Sequence, residues 1–278
     1  MTKTRMKHTE LLQALIDNLG YQSYLEIGIE DGKNFNALTL GGGAIKVGID
    51  PAKKSRRVAT HPMTSDAYFD KYPSQTFDLV FIDGLHEADQ VLRDVNHALT
   101  VLNDGGTIVC HDLNPGSYQR QVVPRAKGSG AWLGDCWKAW VALRRRANLS
   151  MFVVDTDYGC GIIRRRHPRS SIGPFPLPLT SAPLHPDFKG LQAHREEWLN
   201  LVPLATFQGW LTSLSKKTPH SSPAPAKEPV SLAKEPMSLV EETPKKSNPL
   251  TSKDVVESAA KLQPRVPQTR KTNKNRGK

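Results

Sequence analysis

The sequence predicts an α/β fold: a doubly wound, mostly parallel sheet with an antiparallel hairpin at its C-terminal side. Three observations carry that prediction. Short apolar runs alternate with helical patterns from residue 23 to residue 112, and such alternation implies right-handed crossovers and a sheet covered on both faces. Four of the runs lead into a glycine or a carboxylate, Gly28, Asp50, Asp83 and Asp112, which is where such sheets bind ligands. Two further β-rich runs flank Thr156-Asp157-Tyr158-Gly159, a turn sequence that reads as a hairpin.

The elements follow in order. Residues 8–19 place Leu11, Leu12, Leu15, Ile16 and Leu19 at helical spacing, with Gly20 as a stop. SYLEIGI is a buried strand closing on Gly28 and Gly32, KNFNALTL a helix, and AIKVGID a second strand ending on Asp50. After a less regular segment comes FDLVFID, then the amphipathic helix ADQVLRDVNHALTVL with Val91, Leu92, Val95, Leu99 and Leu102 on one side. Asn103-Asp104-Gly105-Gly106 turns the chain into the strand TIVCHD. GDCWKAWVALRRR reads as a helix, SMFVVDTDYGCGIIRRR as the hairpin, and residues 167–187 as a Pro- and Ser-rich excursion. LQAHREEWLNLVPLATFQGWL is helical and bends or breaks near Pro203. The expected organisation is an N-terminal helix (1–21), the sheet domain (22–166), the excursion with an accessory helix (167–215), and a tail (216–278).

Composition restricts what the chain can be. The net charge of +11 suggests nucleic acid until it is located: residues 216–278 hold 14 Lys and Arg against 6 Asp and Glu. That tail repeats AKEPVSL as AKEPMSL, contains no aromatic residue and is expected to be disordered, since it offers too little apolar area to offset its ordering entropy. The preceding residues are nearly neutral, so a nucleic-acid partner is not expected. Cys110, Cys136 and Cys160 are odd in number and widely spaced, which argues against a disulfide framework and a zinc site. No run approaches the roughly 20 apolar residues of a membrane span, and the N-terminal residues lack an apolar signal core. The expected location is the cytoplasm.

Gly28 and Gly32, between a strand and a helix, permit a tight turn and a close helix approach. Asp50, about 20 residues on at the next strand end, is placed to accept ribose hydroxyls, so the pair points to an adenosine-type ligand. A diphosphate favours a loop of free N–H groups. Here the loop carries Glu26, Glu30 and Asp31, which suits a cationic ligand better.

YLEIGIEDG, KVGIDP, SDAYF, FDLVFIDGLHEADQVLRDV, LNDGGTIVCHDLNP, WLGDCWKAW and DTDYGCGII resemble successive blocks of the class I S-adenosylmethionine-dependent methyltransferases. The likeness is to the methyltransferase domain 24 type, related to macrocin O-methyltransferase and cephalosporin hydroxylase-like proteins. It covers about residues 22–165 and implies a Rossmann-like fold. It also implies that Glu26, Gly28 and Gly32 surround the methionine part of S-adenosylmethionine, that Asp50 holds its ribose, that Ser65 and Asp66 lie beside the adenine, and that Asp83 borders the cofactor.

Methyl transfer from a sulfonium is an in-line displacement that needs alignment and a deprotonated nucleophile. Two mechanisms fit the cluster Asp83, His86, His111 and Asp112: a histidine takes the acceptor's proton, or Asp83 and Asp112 hold Mg2+ that acidifies the hydroxyl. Magnesium prefers oxygen ligands, and His111 stands where some relatives carry an acid. Family comparison further sets Trp132, Asp135, Trp137 and Lys138 over the acceptor pocket, with Asp135 also expected to cap the helix that it opens. The expected reaction is O-methylation of a small molecule, a sugar by analogy. The alternatives are a hydroxylase-like relative on the same scaffold and a noncatalytic binding module with a basic tether. Homo-oligomerisation stays open.

Overall fold

Side-chain alternation along the strands sets the layers of this molecule. The computed structural model describes residues 5–127, 130–166 and 178–215; the expected disordered tail, and residues 167–177 of the Pro- and Ser-rich excursion, lie outside the described residues. Seven strands, β1 (Ser23–Ile27), β2 (Ile45–Ile49), β3 (Phe77–Ile82), β4 (Leu102–Cys110), β5 (Leu149–Val154), β6 (Cys160–Arg165) and β7 (Leu201–Val202), form one sheet in the order β2-β1-β3-β4-β6-β5-β7. Strands β1 to β4 run parallel, and β6 pairs antiparallel with both β4 and β5. This is the predicted mixed sheet with its C-terminal hairpin.

Leu25, Ile27, Val80, Ile82, Ile108 and Cys110 face one side. There they meet α3 (Ser65–Lys71), α4 (Ala88–Val101), α6 (Cys136–Leu143) and α7 (Phe188–Leu199). Tyr24, Leu79, Phe81 and Val109 face the other, covered by α1 (His8–Leu19), α2 (Lys33–Ala37) and α8 (Leu204–Ser215). A short α5 (Tyr118–Gln121) sits in the loop after β4. The three cysteines are free and buried within these two cores.

The first helix has the predicted bounds; Gly20 ends it in the left-handed region at φ 66° and donates its N–H to Ile16 O. Elsewhere tertiary pairing moved the boundaries. Strand β1 stops at Ile27, because Gly28 turns out at φ +87°. Leu102 pairs with Phe77, so β4 begins at the last residue of the expected helix, takes in the expected turn, and shifts register between Phe77 and Leu79. At Pro203 the chain breaks rather than bends: Asn200 takes the left-handed region, and Leu201–Val202 add to the edge of β5 before α8 starts. Val153 and Asp155 donate their N–H groups to Asn200 O and Val202 O, so this short strand satisfies edge amides.

Two buried groups yield tests of the fold. Trp140 is 1% exposed and donates Nε1–H to Leu199 O at 3.0 Å, tying α6 to the end of α7. Trp140→Ala should cost about 3–5 kcal/mol in urea unfolding. Glu26 is 1% exposed on β1, with Tyr24 Oη–H (2.5 Å) and Asn34 Nδ2–H (2.9 Å) donating to Oε2. Burial pushes its carboxyl up to about 7. The folded state therefore holds the proton more tightly than the unfolded chain, and stability falls as pH rises from about 4.5 through about 7. Glu26→Gln should leave stability unchanged near about pH 4 and raise it by about 3 kcal/mol at about pH 8. A parallel pH dependence in parent and variant would show that ionised Glu26 carries no such cost.

Candidate active site

The carboxyl ends of β1 to β4 open into a cavity of about 680 Å3. Gly28 makes the opening possible: a Cβ there would stand 2.2 Å from Asp83 O, so only glycine lets the two strand ends approach so closely. Gly28, Asp50, Ser65, Asp66, Asp83, His86, His111, Asp112 and Trp132 all line this cavity.

At the end near β2, Asp50 is 8% exposed and accepts from Glu30 N (2.8 Å) and Ala52 N (2.7 Å). These bonds lock the carboxylate at the rim. Beyond it, Ser65 Oγ–H donates to Asp94 Oδ1 at 2.6 Å, and Gln90 Nε2 reaches Asp94, Ser65 and Asp66 at 3.0, 3.2 and 3.3 Å. Thr64, not Asp66, caps α3 by accepting from Ala67 N, which leaves Asp66 at the cavity wall. Burial raises the Asp94 carboxyl. Gln90 and Asp94 were missed from sequence, although Asp94 left a signal. It interrupts the apolar arc Val91, Val95, Ala98 of α4, a place where an acid needs partners.

Glu26 and Gly32 do not line the cavity. Glu26 lies behind the β1 edge with Tyr24 and Asn34, and a Cβ on Gly32 would meet Val58 Cγ1 at 2.3 Å. Glu30 and Asp31 are paired with Lys54 and Lys33, each at 2.6 Å. The three acids of the glycine turn therefore do not present a bare negative charge, and the electrostatic case against a diphosphate loses its force.

Four titratable side chains converge at the ends of β3 and β4. His86 Nε2 and His111 Nδ1 each lie 3.3 Å from Asp83 Oδ1, and His111 Nδ1 lies 3.4 Å from Asp112 Oδ1. His86 Nδ1 is 3.1 Å from Trp132 O, and its ring stacks on the indole at 5.4 Å. On the far side, His111 Nε2 donates to Asp157 O at 2.8 Å. Asp157 in turn accepts from both His8 N (2.8 Å) and His8 Nδ1 (2.7 Å). Asp112, Asp157 and Tyr158 adopt positive φ (60°, 45° and 64°), backbone strain that persists where surrounding contacts over-determine the chain. Burial pulls the His111 imidazole down, yet Asp83, Asp157 and Asp112 together hold it well above its ordinary value. Burial and Asp83 push Asp112 up to about 6, against the pull of His111. Asp83 is held low: His111 and His86 overcome its burial.

Three of the expected acceptor-pocket residues require correction. Trp137 is wholly buried and donates Nε1–H to Gln121 Oε1, so it is a core residue. Asp135 does not cap the helix it opens: its Oδ1 accepts from Ala88 N at 2.7 Å, satisfying the first amide of α4, and its Oδ2 pairs with Lys138 at 3.1 Å. Lys138 is thereby committed outside the lining, and only Trp132 of the four reaches the cavity. Gly134 explains the displacement, because a Cβ there would stand 1.7 Å from His86 O. The loop packs directly on residues 84–87. Leu85 and Tyr158 complete this wall, and no sequence pattern marked them.

Residues 11–113 match the methyltransferase domain family of type 24. No curated protein matches the chain. Among solved structures, the chain is similar to the O-methyltransferase from Bacillus cereus in complex with SAH, at 16% identity over 58% of this chain and 81% of that one, with a TM-score of 0.42. It is also similar to the SAH-bound methyltransferase of Podospora anserina (16% identity, 57% and 78% covered, TM-score 0.40). A third similar structure is the Streptomyces achromogenes O-methyltransferase of tomaymycin synthesis with SAM (16% identity, 56% and 78% covered, TM-score 0.40). The segment matched by the family model holds β1 to β4, the glycine turn and Asp50, Asp83 and Asp112.

Proposed function

We propose that the cavity transfers a methyl group from S-adenosylmethionine to a hydroxyl of a small molecule. The observation that carries this reading is the division of one cavity into two chemistries. A ribose-type carboxylate and a buried amide–hydroxyl network stand at the β2 side, and a carboxylate–imidazole cluster stands at the β3–β4 ends. Asp50 holds the ribose hydroxyls, Ser65 and Asp66 flank the adenine with Gln90 and Asp94 behind them, and Gly28 lets the methionine part approach the backbone. Glu26 and Gly32 support that turn from behind.

The acceptor enters beside Leu85, Trp132 and Tyr158. Its hydroxyl hydrogen-bonds to the cluster, and the proton leaves into Asp83, His86 and His111 as the oxygen attacks the methyl carbon. The electron pair of the breaking C–S bond stays on sulfur, which leaves neutral as the thioether product. Alignment and partial desolvation by the cavity walls supply the main acceleration. A sugar is the acceptor that the family resemblance favours, and ring faces at Trp132 and Tyr158 suit it. Asp83, His86 and Asp112 offer ligand atoms all within 4.8 Å of one another, which fits a divalent cation. A cation bound there would lower the pKa of the acceptor hydroxyl.

The cavity walls bear no large basic surface, and among the described residues no helix is long and apolar enough to cross a membrane. Calorimetric titration of S-adenosylmethionine into the protein tests the cofactor assignment. Asp50→Ala should weaken binding by about 30- to 160-fold, equivalent to about 2–3 kcal/mol for hydrogen bonds to a charged acceptor. Asp50→Asn, which still caps the loop amides, should fall between. A folded parent that binds no S-adenosylmethionine would sink the reading.

A further inference from the structure

We propose that Arg120 recognises an anionic group at the mouth of the cavity, so that the methyl acceptor carries a carboxylate or phosphate besides its hydroxyl. The proposal deepens the methyltransferase reading and rests on it for the acceptor's fate, though not for the binding of the anion.

Two contacts place Arg120 there. Its carbonyl oxygen accepts from Leu133 N (2.8 Å) and Gly134 N (3.2 Å), and its guanidinium carbon lies 5.5 Å from the centre of the Tyr158 ring. Leu133 and Tyr158 both line the cavity, so Arg120 bridges the loop wall and the hairpin wall. Tyr158 and Leu85 are exposed, which sets this bridge at the opening. The backbone bonds fix where the side chain starts, and the ring supports its head.

Contact with a ring face leaves most of the five guanidinium N–H donors unspent. Among the described residues, none of them meets a carboxylate or carbonyl within hydrogen-bond reach. Lys54 and Lys138, by contrast, are engaged by Glu30 and Asp135, and Arg125 donates to Gly130 O at 2.9 Å. Arg120 is half-buried. It has given up part of its hydration without gaining a hydrogen-bonding partner, a deficit that a bidentate carboxylate or phosphate corrects.

The charge pattern agrees. Residues 113–134, which supply Ala131, Trp132 and Leu133 to the wall, hold Arg120, Arg125 and Lys127 but no Asp or Glu. The acids of this end, Asp83 and Asp112, lie at the strand ends, where the two imidazoles answer them. An acceptor whose hydroxyl meets that cluster lays its body along Leu85 and Trp132 and turns its far end to the mouth. One unspent guanidinium suits one anionic group there, not a polyanion.

The test is calorimetric titration of the SAH-loaded full chain with matched probes: glucose, glucuronate and glucose 6-phosphate, then 4-hydroxybenzyl alcohol and 4-hydroxybenzoate. SAH lacks the sulfonium charge, so the cofactor cannot supply a preference for anions. In at least one set the parent should bind a charged member about tenfold more tightly than the neutral one. Glucuronate against glucose 6-phosphate separates a carboxylate site from a phosphate site. Arg120→Gln should lower the charged-to-neutral ratio about tenfold. Arg120→Lys, which keeps the charge but not the fork, should fall between. SAH affinity and thermal unfolding of each variant serve as folding controls.

A parent that binds no charged probe, or binds charged and neutral members alike, would overturn the proposal. So would an Arg120→Gln variant that weakens both members in the same proportion, since Arg120 would then only support Tyr158. A parent that binds no SAH, yet prefers charged probes through Arg120, would uphold the anion site and sink the methyltransferase reading alone.

Discussion

Asp83 and Asp112 stand at the ends of adjacent parallel strands, largely withdrawn from water, and most of the surrounding structure serves to make that placement tolerable. A carboxylate moved from water into a protein interior costs several kcal/mol unless hydrogen bonds and opposite charge compensate it. The compensation comes from His86 and His111, one in the loop after β3 and one at the end of β4. Neither imidazole could hold its orientation unaided. His86 depends on the Trp132 carbonyl and indole, hence on the loop that Gly134 seats against residues 84–87. His111 depends on the hairpin turn at Asp157, which the N-terminal segment clamps through His8 and through reciprocal bonds between Met6 and Thr156.

The β2 side of the cavity obeys a milder rule. Asp50 takes its hydrogen bonds from loop amides, and the Ser65–Asp94–Gln90 network satisfies its members in pairs. Such a network is preorganised: its partners are in place before any ligand arrives, so little ordering entropy remains to be lost on binding. The cavity thus joins a hydrogen-bonded end to a charge-dense end. Gly28 connects the two, because its missing side chain lets β1 close on Asp83.

Much of the fold was legible in the sequence for a simple reason. Strand and helix periodicities are local, and the two-sided burial of a parallel sheet writes itself as apolar runs such as FDLVFI. The errors arose where pairing partners were distant in sequence. The turn at Asn103–Gly106 was absorbed into β4 by pairing with β3, and Leu201–Val202 became a strand only because the edge of β5 was open. Within the site, residues at or just beyond strand ends were readable, and most of those on the loop before α6 were not. Trp137 and Asp135 lie in a segment whose neighbours cannot be inferred from spacing, and burial turned one into core and the other into a partner of α4.

By itself the sequence determined the layered α/β architecture, the edge at which the cavity opens, and the presence there of Gly28, Asp50, Asp83, His86, His111 and Asp112. Each of these follows from hydrophobic period and from position at or a few residues beyond a strand end, properties carried by a few adjacent residues. Only the tertiary structure decided which acids face the cavity, which tryptophan is available, and that His8 and Asp157, some 150 positions apart, set the orientation of His111. Those outcomes depend on packing between distant segments, where a single Cβ at Gly28 or Gly134 would collide with backbone and move the wall. No local pattern encodes such contacts.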